Sequence, residues 1–186
     1  MRGSWGVIMA LAYFITFTTY GTWLPGSAKG SVNSDHNVYG EPLLPPDAER
    51  EQQARAALTQ SCYTMSAAER DIVCQALVTL SEERGWKLLA AHVRSNHVHV
   101  VIQAERDPGR VMSDLKARAS RDLTRAGYGS AERRRWTRHG STKHLFREQE
   151  VAEKIEYTLN GQGPQMACYP PAPPHSQRAA HEVSGN

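Results

Sequence analysis

The sequence predicts an α+β fold: a ferredoxin-like antiparallel sheet with helices on one face, plus an extra C-terminal helix that carries a tyrosine. Three observations support this expectation. His97-Val98-His99-Val100-Val101 alternates polar and aliphatic side chains, the period of a strand with two unlike faces. Ser66-Ala67-Ala68-Glu69 is a capping box, and Ile72, Val73, Ala76, Leu77 and Leu80 follow at helical spacing. The element order then runs strand, helix, strand, strand, helix, strand, helix, and its first six members match a split βαβ arrangement.

Taken in order, residues 1–11 form an N-terminal extension. Ala12 to Thr19 is aromatic and β-branched and reads as a strand. Tyr20 to Pro46 is rich in Gly, Pro, Ser and Asn, a long loop expected to hug the domain through Trp23 and Leu24. Asp47 to Leu58 is charged and contains alanine, which suits a short helix, so the insertion spans about 20–60. Gly85 ends the capped helix. Trp86 to Val93 and His97 to Gln103 are strands joined by the turn Arg94-Ser95-Asn96. Asp107-Pro108 opens a helix with proline at its first position. Its apolar stripe is Val111, Met112, Leu115, Ala119 and Leu123, and Gly127 closes it. Gly127 to Gly140 is a basic loop, Ser141 to Phe146 a short strand, and Glu148 to about Asn160 a helix with acidic residues at its positive end. The catalytic domain is expected over 12–165, and 166–186, rich in Pro, Ala, Ser and His, as a disordered tail.

Charge is unevenly placed. Between Gly109 and Arg147 there are eleven Lys/Arg and three Asp/Glu, against a whole-chain net charge of +3. A basic segment on an otherwise slightly acidic chain points to a polyanionic partner or to a solvated helix. Cys62, Cys74 and Cys168 are odd in number and form no C-x-x-C, which disfavours a disulfide framework and structural zinc. The apolar run Val7 to Ala12 is too short to span a bilayer, so no membrane partner is expected and the protein is read as cytoplasmic.

The chemistry centres on the histidines. His97 and His99 lie on one face of their strand, about 7 Å apart at Cα, where two imidazoles can share a divalent cation. A third ligand is required. The last helix offers Tyr157, about 200° round from Ile155 and so off the apolar stripe, then Asn160 and Gln162. A phenol is a weak nucleophile at neutral pH, and a cation that polarises a phosphodiester would assist it.

Ser95-Asn96-His97-Val98-His99-Val100-Val101 resembles the strand motif of the HUH single-tyrosine transposases, the insertion-sequence single-strand transposases and REP-associated tyrosine transposases. Val111 to Leu123 resembles the helix that follows in that family. The stretch from Trp136 through Phe146 to Glu153-Lys154-Ile155-Glu156-Tyr157 resembles the approach to its catalytic helix. The resemblance implies that His97 and His99 bind Mg²⁺ or Mn²⁺ and that Tyr157 is the nucleophile. It also implies a 5′-phosphotyrosine intermediate on single-stranded or hairpin DNA. In that family a Gln or Asn follows the tyrosine by four residues, whereas here that position is Gly161; Gln162 is the favoured third ligand, with Asn160 in reserve. DNA contacts are expected from Lys116, Arg118, Arg121, Arg133, Arg134, Arg135, Arg138 and Lys143, with Trp136 stacking on an unpaired base. The long insertion leaves monomer or homodimer open. Two other readings compete: a non-catalytic single-stranded nucleic-acid-binding protein of similar fold, and a zinc hydrolase using His97, His99 and either His92 or His144.

Overall fold

A computed structural model describes residues 9–22, 24, 26 and 47–170. Trp23, most of the Tyr20–Pro46 loop and the tail from 171 onward lie outside the described residues. Strand β1 (Ala12–Thr18) is followed by helix α1 (Ala48–Ala56), helix α2 (Ala67–Arg84), strands β2 (Lys87–Val93) and β3 (His97–Gln103), helix α3 (Pro108–Arg125), strand β4 (Ser141–Leu145), helix α4 (Glu148–Asn160) and strand β5 (Ala167–Tyr169). The strands pair in the order β4-β1-β3-β2-β5, with every pairing antiparallel. With α1 set aside, β1 to β4 with α2 and α3 form the ferredoxin-like arrangement expected.

Local signals act where they were read. Ser66 accepts from the Glu69 N–H while the Glu69 carboxylate accepts from the Ser66 N–H, so α2 starts with two orphan donors satisfied. Gly85 stops it with φ of 67°, a left-handed conformation that glycine adopts without a Cβ penalty. Asp47 and Asp107 cap α1 and α3 in the same way, each accepting from the N–H three residues on.

The sheet has two different faces. Ile15, Phe17, Val93, Val98, Val100 and Ile102 meet Val73, Leu77 and Leu80 of α2 and Val111, Leu115 and Leu123 of α3 in the main core. On the other face Ala12, Ala90, Val101 and Leu145 are covered by Val151, Ile155 and Leu159 of α4. The extra helix therefore lies across the face that carries His97 and His99.

Two features correct the sequence expectation. Ordered structure does not stop at 165, because Ala167, Cys168 and Tyr169 pair with Val93, His92 and Ala91 to make a fifth strand. That strand is held by the β2 edge and by His92, partners far away in sequence. The second feature is a bulge: the β2–β3 register shifts between Leu88 and Ala90. The extra residue turns Leu89 and Ala90 toward α4 and sets His92, rather than Ala91, opposite His99.

Candidate active site

The site is built on the middle of the sheet. Thr16 of β1, His99 of β3 and His92 of β2 form one row across it, and Thr18 lies opposite His97 in the next. The His97 and His99 ring centres are 4.9 Å apart. Each ring is fixed through Nδ1: His97 to Asn96 Oδ1 at 2.7 Å and His99 to Thr16 Oγ1 at 2.8 Å. An Nδ1–H donated to the Asn96 side-chain oxygen fixes the ring orientation and makes Nε2 the acceptor nitrogen, the usual role of an outer hydrogen bond at a metal-binding imidazole. His99 is buried, with 7% of its surface exposed, and burial, reinforced by His97, pushes its pKa down to about 4. It is therefore neutral over the physiological range, as a ligating imidazole must be.

Helix α4 begins with Glu150 accepting from the N–H groups of Phe146 and Arg147 at 3.0 and 3.3 Å. Val151, Ile155 and Leu159 anchor its apolar stripe, and Tyr157 emerges at the edge of that stripe, 43% exposed. The Tyr157 ring lies 5.8 Å from the His99 ring and 6.0 Å from Phe14, edge-on to both. Phe14 in turn stacks on His99 at 5.5 Å. The three rings form one cluster within a single chain.

Gly161 gives an intact α4 its exit. A Cβ there would fall 2.8 Å from the Tyr157 carbonyl oxygen and 2.9 Å from Tyr157 Cδ2. A side chain at this position would press on the tyrosine. Gln162 follows, hydrogen-bonded to His99, and its Nε2 is buried with no partner among the described residues. Asn160 instead donates to Glu156 at 2.9 Å from an exposed position. Among the described residues no three His, Cys, Asp or Glu side chains converge. His97, His99 and the Gln162 amide carbonyl form a donor set that suits a hard divalent cation, with water and phosphate oxygens completing its shell. The reach of the Gln162 side chain to His99 is the observation that favours this fit.

The structure sorts the remaining histidines. The fully buried His92 has both nitrogens engaged: Nδ1–H donates to the Thr158 carbonyl at 3.0 Å, and Nε2 accepts from the Met166 N–H at 3.1 Å. It ties α4 and β5 to β2, and so frames the segment carrying Gln162. His144 pairs with Tyr13, whose ring packs on the main core, so it sits on the opposite sheet face. Neither can be the third ligand that the zinc-hydrolase reading needs.

The basic residues divide into two groups. Lys116 is buried and donates to the carbonyls of Thr137 and His139 at 3.1 and 3.0 Å; burial pushes its pKa down to about 8. Arg135 is buried and donates to the Tyr128 carbonyl. Arg118 pairs with Glu83 and Asp122, and Arg133 donates to Ser61 and Cys62 carbonyls. Trp136 packs edge-on against Phe17 and donates to the Lys116 carbonyl and Ser120 Oγ at 3.0 and 2.9 Å. Lys116 and Trp136 fasten the 128–139 segment to α3, so the Trp136 ring is engaged in packing and not presented for stacking. Arg121, Arg134 and Arg138 are exposed, and Lys143 is half-buried on β4 opposite Phe14. Phe14 and Thr16 were missed by sequence reasoning, as were the supporting roles of Asn96 and of His92, which the sequence suggests only as a zinc ligand; only Asn96, adjacent to His97, carried a local signal.

No described helix is long and apolar enough to cross a membrane. No curated protein matches the chain. A REP-associated tyrosine transposase bound to a REP hairpin shares 9% identity, with 86% of this chain and 71% of that chain aligned at a TM-score of 0.47. A candidate transposase from Deinococcus radiodurans R1 shares 14% identity over 84% of this chain and 95% of that one, at a TM-score of 0.39. The profile of the family described as "Transposase IS200 like" matches residues 61–152, which span the His97–His99 strand and the first turn of α4 and stop short of Tyr157. Over residues 61–152 the chain belongs to the IS200-like transposase family.

Proposed function

We propose that the protein cleaves and rejoins single-stranded or hairpin DNA through a 5′-phosphotyrosine intermediate, with Tyr157 as nucleophile. The observation that carries this reading is the 5.8 Å separation of the His99 and Tyr157 rings within one chain. A nucleophile and a cation-binding pair so placed can act on the same phosphodiester. A Mg²⁺ or Mn²⁺ ion held by His97, His99 and Gln162 would withdraw charge from a non-bridging oxygen and make phosphorus a better electrophile.

The protein's own groups do the rest. Phe14 and the α4 stripe hold the phenol at the rim of the sheet, where it is open to a strand. Tyr157 Oη bonds to phosphorus as its proton leaves to solvent; the P–O3′ bond breaks, and the departing oxygen takes up a proton to become a 3′-hydroxyl. Attack by a 3′-hydroxyl on the phosphotyrosine reverses these events and rejoins DNA. Both partners come from one chain, so the site needs no second copy to be complete. Arg121, Arg134, Arg138 and Lys143 are the basic residues best placed to meet phosphates.

Incubating the protein with labelled hairpin DNA and Mn²⁺, followed by denaturing electrophoresis, tests the proposal. A covalent band is expected from the wild type and not from Tyr157→Phe or in the presence of chelator. An undiminished band from Tyr157→Phe would remove Tyr157 from the role. Binding without any band from the wild type would favour the non-catalytic reading.

A further inference from the structure

Among the described residues, one cation beside the nucleophile has no anionic partner. Helix α4 carries Glu148, Glu150, Glu153 and Glu156, yet none of them is within ion-pair distance of Lys154. Its helical neighbour Glu150, one turn earlier, is taken by Arg147 at 3.0 Å and by the backbone N–H groups that cap the helix. Glu153 accepts from Gln149 and Glu156 from Asn160. The Lys154 ammonium instead lies 5.0 Å from the Tyr157 ring centre and 5.1 Å from that of Phe14.

This placement is specific. Lys154 precedes Tyr157 by three residues, so the two share one helical edge. A polar cleft of about 290 Å³ opens beside it, lined also by Lys143 of β4, the residue paired with Phe14, and by Arg147, Gln149, Glu150 and Glu153. A half-buried lysine over two rings keeps its charge close to a hydroxyl whose reaction gathers negative charge on phosphate oxygens.

Building on the phosphotyrosine reading above, the geometry points to Lys154 as the residue that binds the phosphate attacked by Tyr157. It contacts a non-bridging oxygen of that phosphate. No covalent bond forms to Lys154; its N–H groups donate to the oxygen in the bound strand and in the phosphotyrosine diester. Arginine preserves this function, whereas an uncharged chain of similar length does not.

Binding without chemistry separates this inference from the reading it rests on. The Tyr157→Phe protein is titrated in EDTA, so that no cation contributes, with an oligonucleotide carrying either a normal phosphate or an uncharged methylphosphonate at the cleavage position. Neutralising that phosphate is expected to weaken binding about fivefold at low salt, the order of one lost phosphate contact. With Lys154→Met added, the two oligonucleotides are expected to bind alike, and Lys154→Arg is expected to restore the difference. A thermal melt of each variant shows whether the fold is retained. An equal penalty for neutralisation with Met or Lys at position 154 overturns the assignment to Lys154 and leaves the DNA reading standing. Failure of the Tyr157→Phe protein to bind either oligonucleotide overturns both.

Discussion

The imidazole of His99 lies nearly parallel to the phenyl ring of Phe14, their centres 5.5 Å apart and their planes 9° from parallel. Phe14 also meets Tyr157 edge-on, so one β1 side chain supports both halves of the site. Phe14→Ala would remove both supports. The fold is expected to persist at a cost of about 2 kcal/mol, below the cost of a fully buried phenylalanine because Phe14 is only half-buried. Mn²⁺ affinity is expected to fall about tenfold, the scale seen when outer supports of a metal ligand are lost. Calorimetric Mn²⁺ titration and a melting curve measure the two effects.

The amide after the tyrosine can be identified by substitution. Gln162 reaches His99 and has a buried, unpartnered nitrogen, whereas Asn160 is exposed and bonded to Glu156. Gln162→Ala is expected to weaken Mn²⁺ binding by about ten- to a hundredfold. Asn160→Ala should leave affinity within about twofold. The reverse order would make Asn160 the ligand.

Acid is expected to loosen the C-terminal half of the site. Burial lowers the pKa of His92, and it lowers that of His99 further. A base whose pKa is lowered on folding is more protonated in the unfolded chain, so acid favours unfolding. The stabilisation is fully present above about pH 6.5 and is lost as pH falls below it, as far as about 4 for His99. In chelator, the melting temperature should fall from pH 7 to pH 4.5. His92→Gln can still donate and accept, and its melting temperature should fall less steeply. Identical slopes would show that His92 is not linked to folding.

The basic segment should separate into packing and binding residues. Trp136→Ala removes a ring packed on Phe17 and two hydrogen bonds, so it should cost about 3 kcal/mol of stability. Arg134→Ala and Arg138→Ala, both exposed, should leave the melting temperature unchanged while lowering hairpin affinity and reducing its salt slope by about one contact each.

These residues also show what a sequence can reveal. The His97–His99 face, the capped α2 and the stripe of α3 follow from local periodicity, because alternation and helical spacing are written in adjacent residues. The position of α4 over the histidine face follows from Val151, Ile155 and Leu159 once the sheet is assumed. The roles of Lys116, Arg135 and Trp136 could not be read in this way. A basic run looks the same whether it faces solvent or folds back onto carbonyls of its own loop. β5 was hidden for a related reason: three residues before a proline carry no strand signal, and their pairing comes from β2 and the His92 bridge to Met166. The bulge at Leu89 is likewise a product of packing, and it alone sets His92 opposite His99.

In the proposed mechanism Tyr157 stands beside a cation held by His97 and His99 of the same chain. Mn²⁺ broadens nearby nuclear resonances steeply with distance, so ring-labelled tyrosine in the DNA-free protein reports on it. The Tyr157 signal, assigned by its loss in Tyr157→Phe, is expected to broaden first among the tyrosines as Mn²⁺ is added, and to stay sharp in His97→Ala. A Tyr157 signal that stays sharp while Mn²⁺ occupies the histidine pair would contradict the account.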